Sequence, residues 1–282
     1  MADGEKKPAT TTEESKEGNP RPFPTTPRSK NGVQPRVFAL LVGINDYQGT
    51  VTKLGGCIND VNLTANYLRE KFGKGKTEEP IKVKESVDKT YGPHGRLHLR
   101  ILTNADATYK NIIKAFDEHL VNGGGTADDT FWFHFSGHGT EQFTADEFAK
   151  PKDAAGNALP SLEPNGKDQS LVCYNPEGTQ SGIFLADKEL AAMIDTLYHS
   201  VPAKEDSIPH IVFSLDCCHS GSGTRDFQEP AGFKSRNFDF LRGDGVTSQS
   251  VRPLDTYYNK YYSKQKAENG LLRIPQSRHV LL

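Results

Sequence analysis

The sequence predicts an α/β fold with a mostly parallel central sheet flanked by helices. Three observations lead there. Apolar runs at Val37–Gly43, Thr130–Phe135 and Ile211–Leu215 are continuous rather than alternating, the profile of strands buried on both faces. Segments with helical periodicity lie between the strand-like runs, the signature of βαβ units. Two of the apolar runs stop at glycine-rich polar motifs, Ser136-Gly137-His138-Gly139 and Asp216-Cys217-Cys218-His219-Ser220-Gly221. Sites in such sheets form just beyond the carboxyl ends of the strands.

The elements follow in order. Residues 1–34 hold Pro8, Pro20, Pro22, Pro24 and Pro27 among Thr, Ser, Glu and Lys, and read as a disordered tail that cannot bury enough apolar surface to order itself. Val37–Gly43 is the first strand. Ile58, Val61, Ala65, Leu68 and Phe72 recur at helical spacing, on a helix introduced by Asn59-Asp60. Gly73 to Arg96 is charged and aperiodic, a surface insertion. Leu97–Leu102 alternates as a strand, and Ile112, Ile113, Phe116 and Leu120 mark a second helix starting near Thr108. After Thr130–Phe135 comes a long polar loop to about Lys167, then the short apolar piece Leu171-Val172-Cys173-Tyr174. Asp187 can cap a third helix carrying Leu190, Ile194 and Leu197. Ile211–Leu215 is a further buried strand.

Composition narrows the function classes. The chain has 282 residues, 35% of them hydrophobic, with 34 basic against 36 acidic side chains and a net charge of −2, so there is no basic block for nucleic acid or a membrane surface. The longest apolar run, Phe38 to Ile44, is too short to cross a bilayer, and MADGEKKPAT lacks the apolar core of a secretory signal. Four cysteines, two of them adjacent, argue for thiols in a reducing compartment rather than a disulfide scaffold. A cytoplasmic protein, expected as a monomer, remains.

Strand parity carries the chemistry. Side chains alternate along a strand, which puts Ser136 and His138 on one side, Asp216 and Cys218 likewise, and turns Cys217 toward packing. A Cys and a His beyond two buried strands is what a thiol nucleophile needs, because a nearby imidazole lowers a thiol pKa from about 8.5 by several units. The glycines nearby let a substrate backbone approach, and the amides of Gly139 and Cys218 can serve as oxyanion donors. Zinc fits poorly: His134 and His138 lie on a strand that ends between them, and Cys217-Cys218-His219 is too tightly spaced for a tetrahedral site.

The segments FALLVGINDY, GCINDV, FWFHFSGHGT and IVFSLDCCHSG, in this order along residues 36 to about 224, resemble those of the metacaspases, in the caspase-like clan of cysteine peptidases. The resemblance implies a caspase-like three-layer sandwich over residues 35–224, with His138 as catalytic histidine and Cys218 as nucleophile. The Gln-Ala-Cys-x-Gly pattern of aspartate-specific caspases is not present. The resemblance further implies an acidic pocket for Arg or Lys ahead of the scissile bond, built from Asp60 and Asp216 with Cys57 and Ser136 beside them. A buried carboxylate pair favours a cationic guest. The alternative for Asp60 is a helix N-cap.

Many metacaspases are activated by Ca²⁺, and Asp168 and Asp187 match two of the family's ligand positions. The next residue, however, is Lys188. Arg225 stands where another acid is expected, with Asp226 adjacent, and the usual Pro-x-Asp reads Cys173-Tyr174-Asn175. Calcium as an activator is therefore left open, and no other cofactor is called for. Residues 225–276 read as a linker whose Arg225, Lys234, Arg236, Arg242 and Arg252 offer self-processing sites. Tyr257, Tyr258, Tyr261 and Tyr262 form an aromatic patch, either docking on the core or serving as a binding platform. Ser277–Leu282 reads as the start of a small-subunit-like strand, which suggests truncation. The expected function is a cysteine endopeptidase acting on protein substrates after Arg or Lys. The alternative is a weak or inert caspase-fold module for binding or regulation.

Overall fold

The computed structural model describes residues 34–73, 79–178, 184–202, 208–217 and 251–282. The expected N-terminal tail therefore lies almost wholly outside the described residues, as do Cys218 and the linker up to residue 250.

The chain runs β1 (Val37–Gly43), α1 (Cys57–Phe72), β2 (Val87–His94), β3 (Leu97–Thr103), α2 (Tyr109–Phe116), β4 (Thr130–Ser136), β5 (Gly139–Phe143), α3 (Asp146–Ala149), β6 (Lys167–Leu171), β7 (Leu185–Ala186), α4 (Asp187–Ser200), β8 (His210–Asp216), α5 (Tyr261–Asn269) and β9 (Val280–Leu281). Six strands form one sheet in the order β2-β3-β1-β4-β8-β9, and β5, β6 and β7 form a small antiparallel sheet. In the large sheet β1 pairs in parallel with both β3 and β4, β4 with β8, and β8 with β9; β2 alone runs antiparallel.

The three layers follow from the alternation of β1, which is buried throughout. Val37, Ala39 and Leu41 pack with Ile58, Val61, Ala65 and Leu68 of α1. Phe38, Leu40 and Val42 face the opposite way, into a larger cluster with Ile112 and Phe116 of α2 and Met193, Ile194 and Leu197 of α4. Gly43 lets α1 come close: a Cβ there would lie 2.6 Å from Val61 Cγ2. Thr108 caps α2, its hydroxyl accepting from Asn111 N.

Several expectations are corrected. The stretch 73–96 is not a surface insertion throughout. Ile81 and Val83 are buried against α1, and the amides of Asn62 and Asn66 on that helix bond the backbone of Val83 and Ile81 in both directions. β2 then extends the sheet beside β3. The supposed polar loop before Lys167 contains β5, whose buried Gln142 bonds Ser170 on β6. The helix of Asp187 is capped differently: Ala186 is the N-cap, Asp187 begins the helix, and Glu189 accepts from Ala186 N. The linker reading fails for residues 251–276. There Tyr257, Tyr258 and Tyr262 are buried and α5 forms, so the tyrosine patch docks on the core.

Arg252 shows why. Its guanidinium makes a two-pronged ion pair with Glu189 at 2.7 and 2.9 Å, both side chains being buried, and lies 4.1 Å from the centre of the Tyr257 ring. A residue so enclosed is no accessible processing site. β9 forms at Val280–Leu281, against Val212 and Phe213 of β8.

Candidate active site

The parallel register pairs Ser136 of β4 with Asp216 of β8 and with Gly43 of β1. Residues in parallel register point to the same face, so Ser136 and Asp216 share the α1 side of the sheet. From α1, Asp60 reaches the same place, and Ser136 Oγ donates to Asp60 Oδ2 at 2.9 Å. Asp60 is not a helix cap. The helix starts earlier, at Cys57, whose N–H is taken by the side chain of Asn45. That leaves Asp60 in the first turn, where the helix dipole favours a carboxylate. Cys57 and Ser136 are fully buried, Asp60 is half-buried and Asp216 is exposed. The expected buried carboxylate pair is thus corrected to one that solvent reaches, because Asp216 lies at the very end of its strand.

His138 sits two residues past β4 and is buried. Its Nε2 is 2.7 Å from the carbonyl oxygen of Thr52. A carbonyl only accepts, so Nε2 carries the hydrogen and Nδ1 is the basic nitrogen of the neutral ring. Tyr47 holds the residue from a second side. Its hydroxyl accepts from His138 N at 3.0 Å, donates to Val172 O at 3.0 Å, and its ring centre lies 4.8 Å from the imidazole. Gly137 is needed for this approach, since a Cβ there would come within 2.5 Å of the Tyr47 hydroxyl. The glycine thus admits a tyrosine, where the sequence suggested a substrate backbone.

Gly139 faces Leu171 across the β5–β6 pair, and the flanking bond runs from Val172 N to His138 O. That pattern makes Gly139–Leu171 a pair without ladder bonds of its own, which turns the Gly139 N–H away from β6. Cys217 packs against the α2–α4 core, as parity requires. Cys218, called both as nucleophile and as oxyanion donor, lies outside the described residues. Cys173 is buried, and burial first, then the nearby Glu189 charge, pushes its thiol up to about 12, so it stays protonated.

Asp168 and Asp187 are brought together around Lys188. The lysine Nζ lies 2.6 Å from Asp168 Oδ1, 2.7 Å from Glu163 Oε2 and 3.4 Å from Asp187 Oδ1, and the lysine is 1% exposed. Burial alone would lower the lysine pKa, but the Asp187 and Asp168 charges outweigh it and hold it above the ordinary value. With an ammonium at its centre this donor set does not fit a calcium ion, which needs six to eight oxygens converging on one point. Among the described residues no group of three or more His, Cys, Asp or Glu is arranged to hold a metal. His134 is engaged with Ser214 Oγ at 2.9 Å, on the α1 face of the sheet. No described helix is long and apolar enough to cross a membrane.

Sequence reasoning missed Tyr47, Thr52, Asn45 and Glu163. Tyr47 stood within a quoted motif but had no visible role. Thr52 acts through its backbone, which no side-chain pattern reveals.

A parallel sheet between helical layers, with a buried histidine past one central strand and a Cys-Cys-His motif past the next, defines a caspase-like α/β protein. The metacaspase, peptidase C14 domain family matches residues 38–225, and the chain belongs to that family. It is 28% identical over 184 residues to Metacaspase-1 of Ajellomyces capsulatus, covering 65% of this chain and 40% of that protein. It is 31% identical over 199 residues to Metacaspase-7 of Arabidopsis thaliana, covering 64% and 43%. The chain thus spans about 40% of the length of these relatives. A solved Geobacter sulfurreducens protein aligns over 88% of this chain and 71% of its own, with 18% identity and a TM-score of 0.48.

Proposed function

We propose that the chain is a cysteine endopeptidase that cuts protein substrates after Arg or Lys, with Cys218 as nucleophile and His138 as base. The observation that carries this reading is the clamped imidazole. With Nε2 donating to Thr52 O, Nδ1 is the nitrogen whose lone pair can accept a thiol proton, and Cys218 follows Asp216 by the same two residues that separate His138 from Ser136.

Cys218 gives its proton to Nδ1, and the thiolate attacks the carbonyl carbon ahead of the scissile bond. The amides of Gly139 and Cys218 meet the oxyanion. Collapse breaks the C–N bond as the imidazolium returns the proton to the departing amine, and water then opens the thioester. The Asp60 and Asp216 carboxylates favour a guanidinium or ammonium in the preceding pocket through charge-assisted hydrogen bonds.

Paired fluorogenic peptides ending in Arg or Asp, assayed beside Cys218→Ala, test the proposal. Cleavage after Arg that is lost in the variant is expected. Cleavage only after Asp overturns the pocket assignment. No cleavage by folded protein favours the inert binding module instead.

A further inference from the structure

We infer that Lys188 is a built-in cation, holding by a covalent tether the place among Glu163, Asp168 and Asp187 that a divalent ion would take, so that Ca²⁺ neither stabilises this chain nor is needed by it. An ammonium has three N–H donors, and here three carboxylates lie within 3.4 Å of the nitrogen. The Phe148 ring closes over it, with Nζ 5.5 Å from the ring centre. The second oxygen of Asp168 is taken as well, by the Tyr257 hydroxyl at 2.5 Å. That hydroxyl in turn accepts from Ala145 N. Asp168 therefore has one oxygen on the ammonium and one on a buried phenol, and could turn toward an ion only by abandoning both.

The lysine's position in the chain makes the same point independently. It is the second residue of α4, where the helix dipole disfavours a positive charge and an acidic residue is the stabilising choice. Its main-chain carbonyl is held by the Tyr262 hydroxyl at 2.7 Å, which fixes the turn that carries the side chain. A lysine placed against the dipole, buried to 1% exposure and matched donor by acceptor, serves the carboxylates around it. Ca²⁺ could enter only by expelling the ammonium.

The test reads binding and stability, not turnover, so its failure is distinct from failure of the peptidase proposal. The full chain and its Lys188→Asp and Lys188→Ala variants are melted in EGTA, in millimolar CaCl2 and in millimolar MgCl2 at matched ionic strength, with calorimetric titration of CaCl2 alongside. The wild type is expected to show the same Tm in all three and no saturable heat with CaCl2. Lys188→Asp is expected to melt lower in EGTA and to recover several degrees in CaCl2 but not MgCl2. Saturable Ca²⁺ binding or Ca²⁺ stabilisation of the wild type overturns the inference. So does a folded Lys188→Asp that ignores Ca²⁺. If Lys188→Asp does not fold, Lys188→Ala, which keeps the three native carboxylates, is read by the same criteria, and the wild-type titration stands by itself.

Discussion

Asp60 and Asp216 stand at the carboxyl end of the sheet, one half-buried and the other exposed, whereas Asp168 and Glu163 enclose Lys188 within the protein. Both groups are carboxylate clusters next to the first turn of a helix. The first remains within reach of solvent, and so of a basic side chain arriving from outside. The second is neutralised from within, and its geometry is spent on one tethered ammonium. Burial explains the difference. A charge that leaves water needs a partner of fixed geometry, while carboxylates at a strand end keep part of their hydration and can exchange partners.

The comparison breaks most sharply at the buried group. Lys188→Met is expected to destabilise the fold by about 3–5 kcal/mol, because it strands the fully buried Asp168 carboxylate, with the half-buried Glu163 beside it, without a counter-charge; urea denaturation measures this. Next comes Tyr47→Phe. It leaves Val172 O without its donor and His138 N without its acceptor, a loss of about 1–3 kcal/mol, with a fall in kcat larger than any change in KM. Smallest in stability is Asp216→Asn, expected to stay within about 0.5 kcal/mol because the side chain is exposed. Yet cleavage after Arg should drop about tenfold or more, the equivalent of about 1.4 kcal/mol. A large stability loss in Asp216→Asn would erase the contrast between the two clusters.

Acid sharpens it from another side. Burial pushes the His119 imidazole down to about 4, only partly opposed by the His98 carbonyl. The unfolded chain takes up that proton near about 6.5, so the stabilisation is fully present above that value and is lost as pH falls toward 4. His119→Gln should flatten the pH dependence of urea stability over this interval.

Much of this was legible in the sequence because it depends on period and parity. The continuous apolar runs gave β1, β4 and β8 their buried character, and counting residues past Phe135 and Leu215 grouped Ser136 with His138 and Asp216 with Cys218, whereas the face that Ser136 and Asp216 share came from the strand register. What was not legible depends on partners far apart in the chain. β2 and β5 are polar strands, recognisable only once β3 and β6 offer them edges. Thr52 contributes a carbonyl, and Glu163 sits in a stretch that reads as loop. Lys188 was visible as a departure from the family pattern, but its meaning came only when its nitrogen was found among three carboxylates. Arg252 misled for a related reason: among exposed-looking basic residues, nothing local marks the one that pairs with Glu189, 63 positions away.

That pairing has a consequence for chain integrity. Residues 251–262 are fastened by Arg252 to Glu189, by Tyr257 to Asp168, by Tyr258 to Asp117 and by Tyr262 to the Lys188 carbonyl. None of these attachments runs through the peptide backbone between 217 and 251. A single cut in that interval would therefore yield two polypeptides that travel together on a native sizing column and part only in denaturant, so that nicking would be invisible to any assay of mass in the folded state.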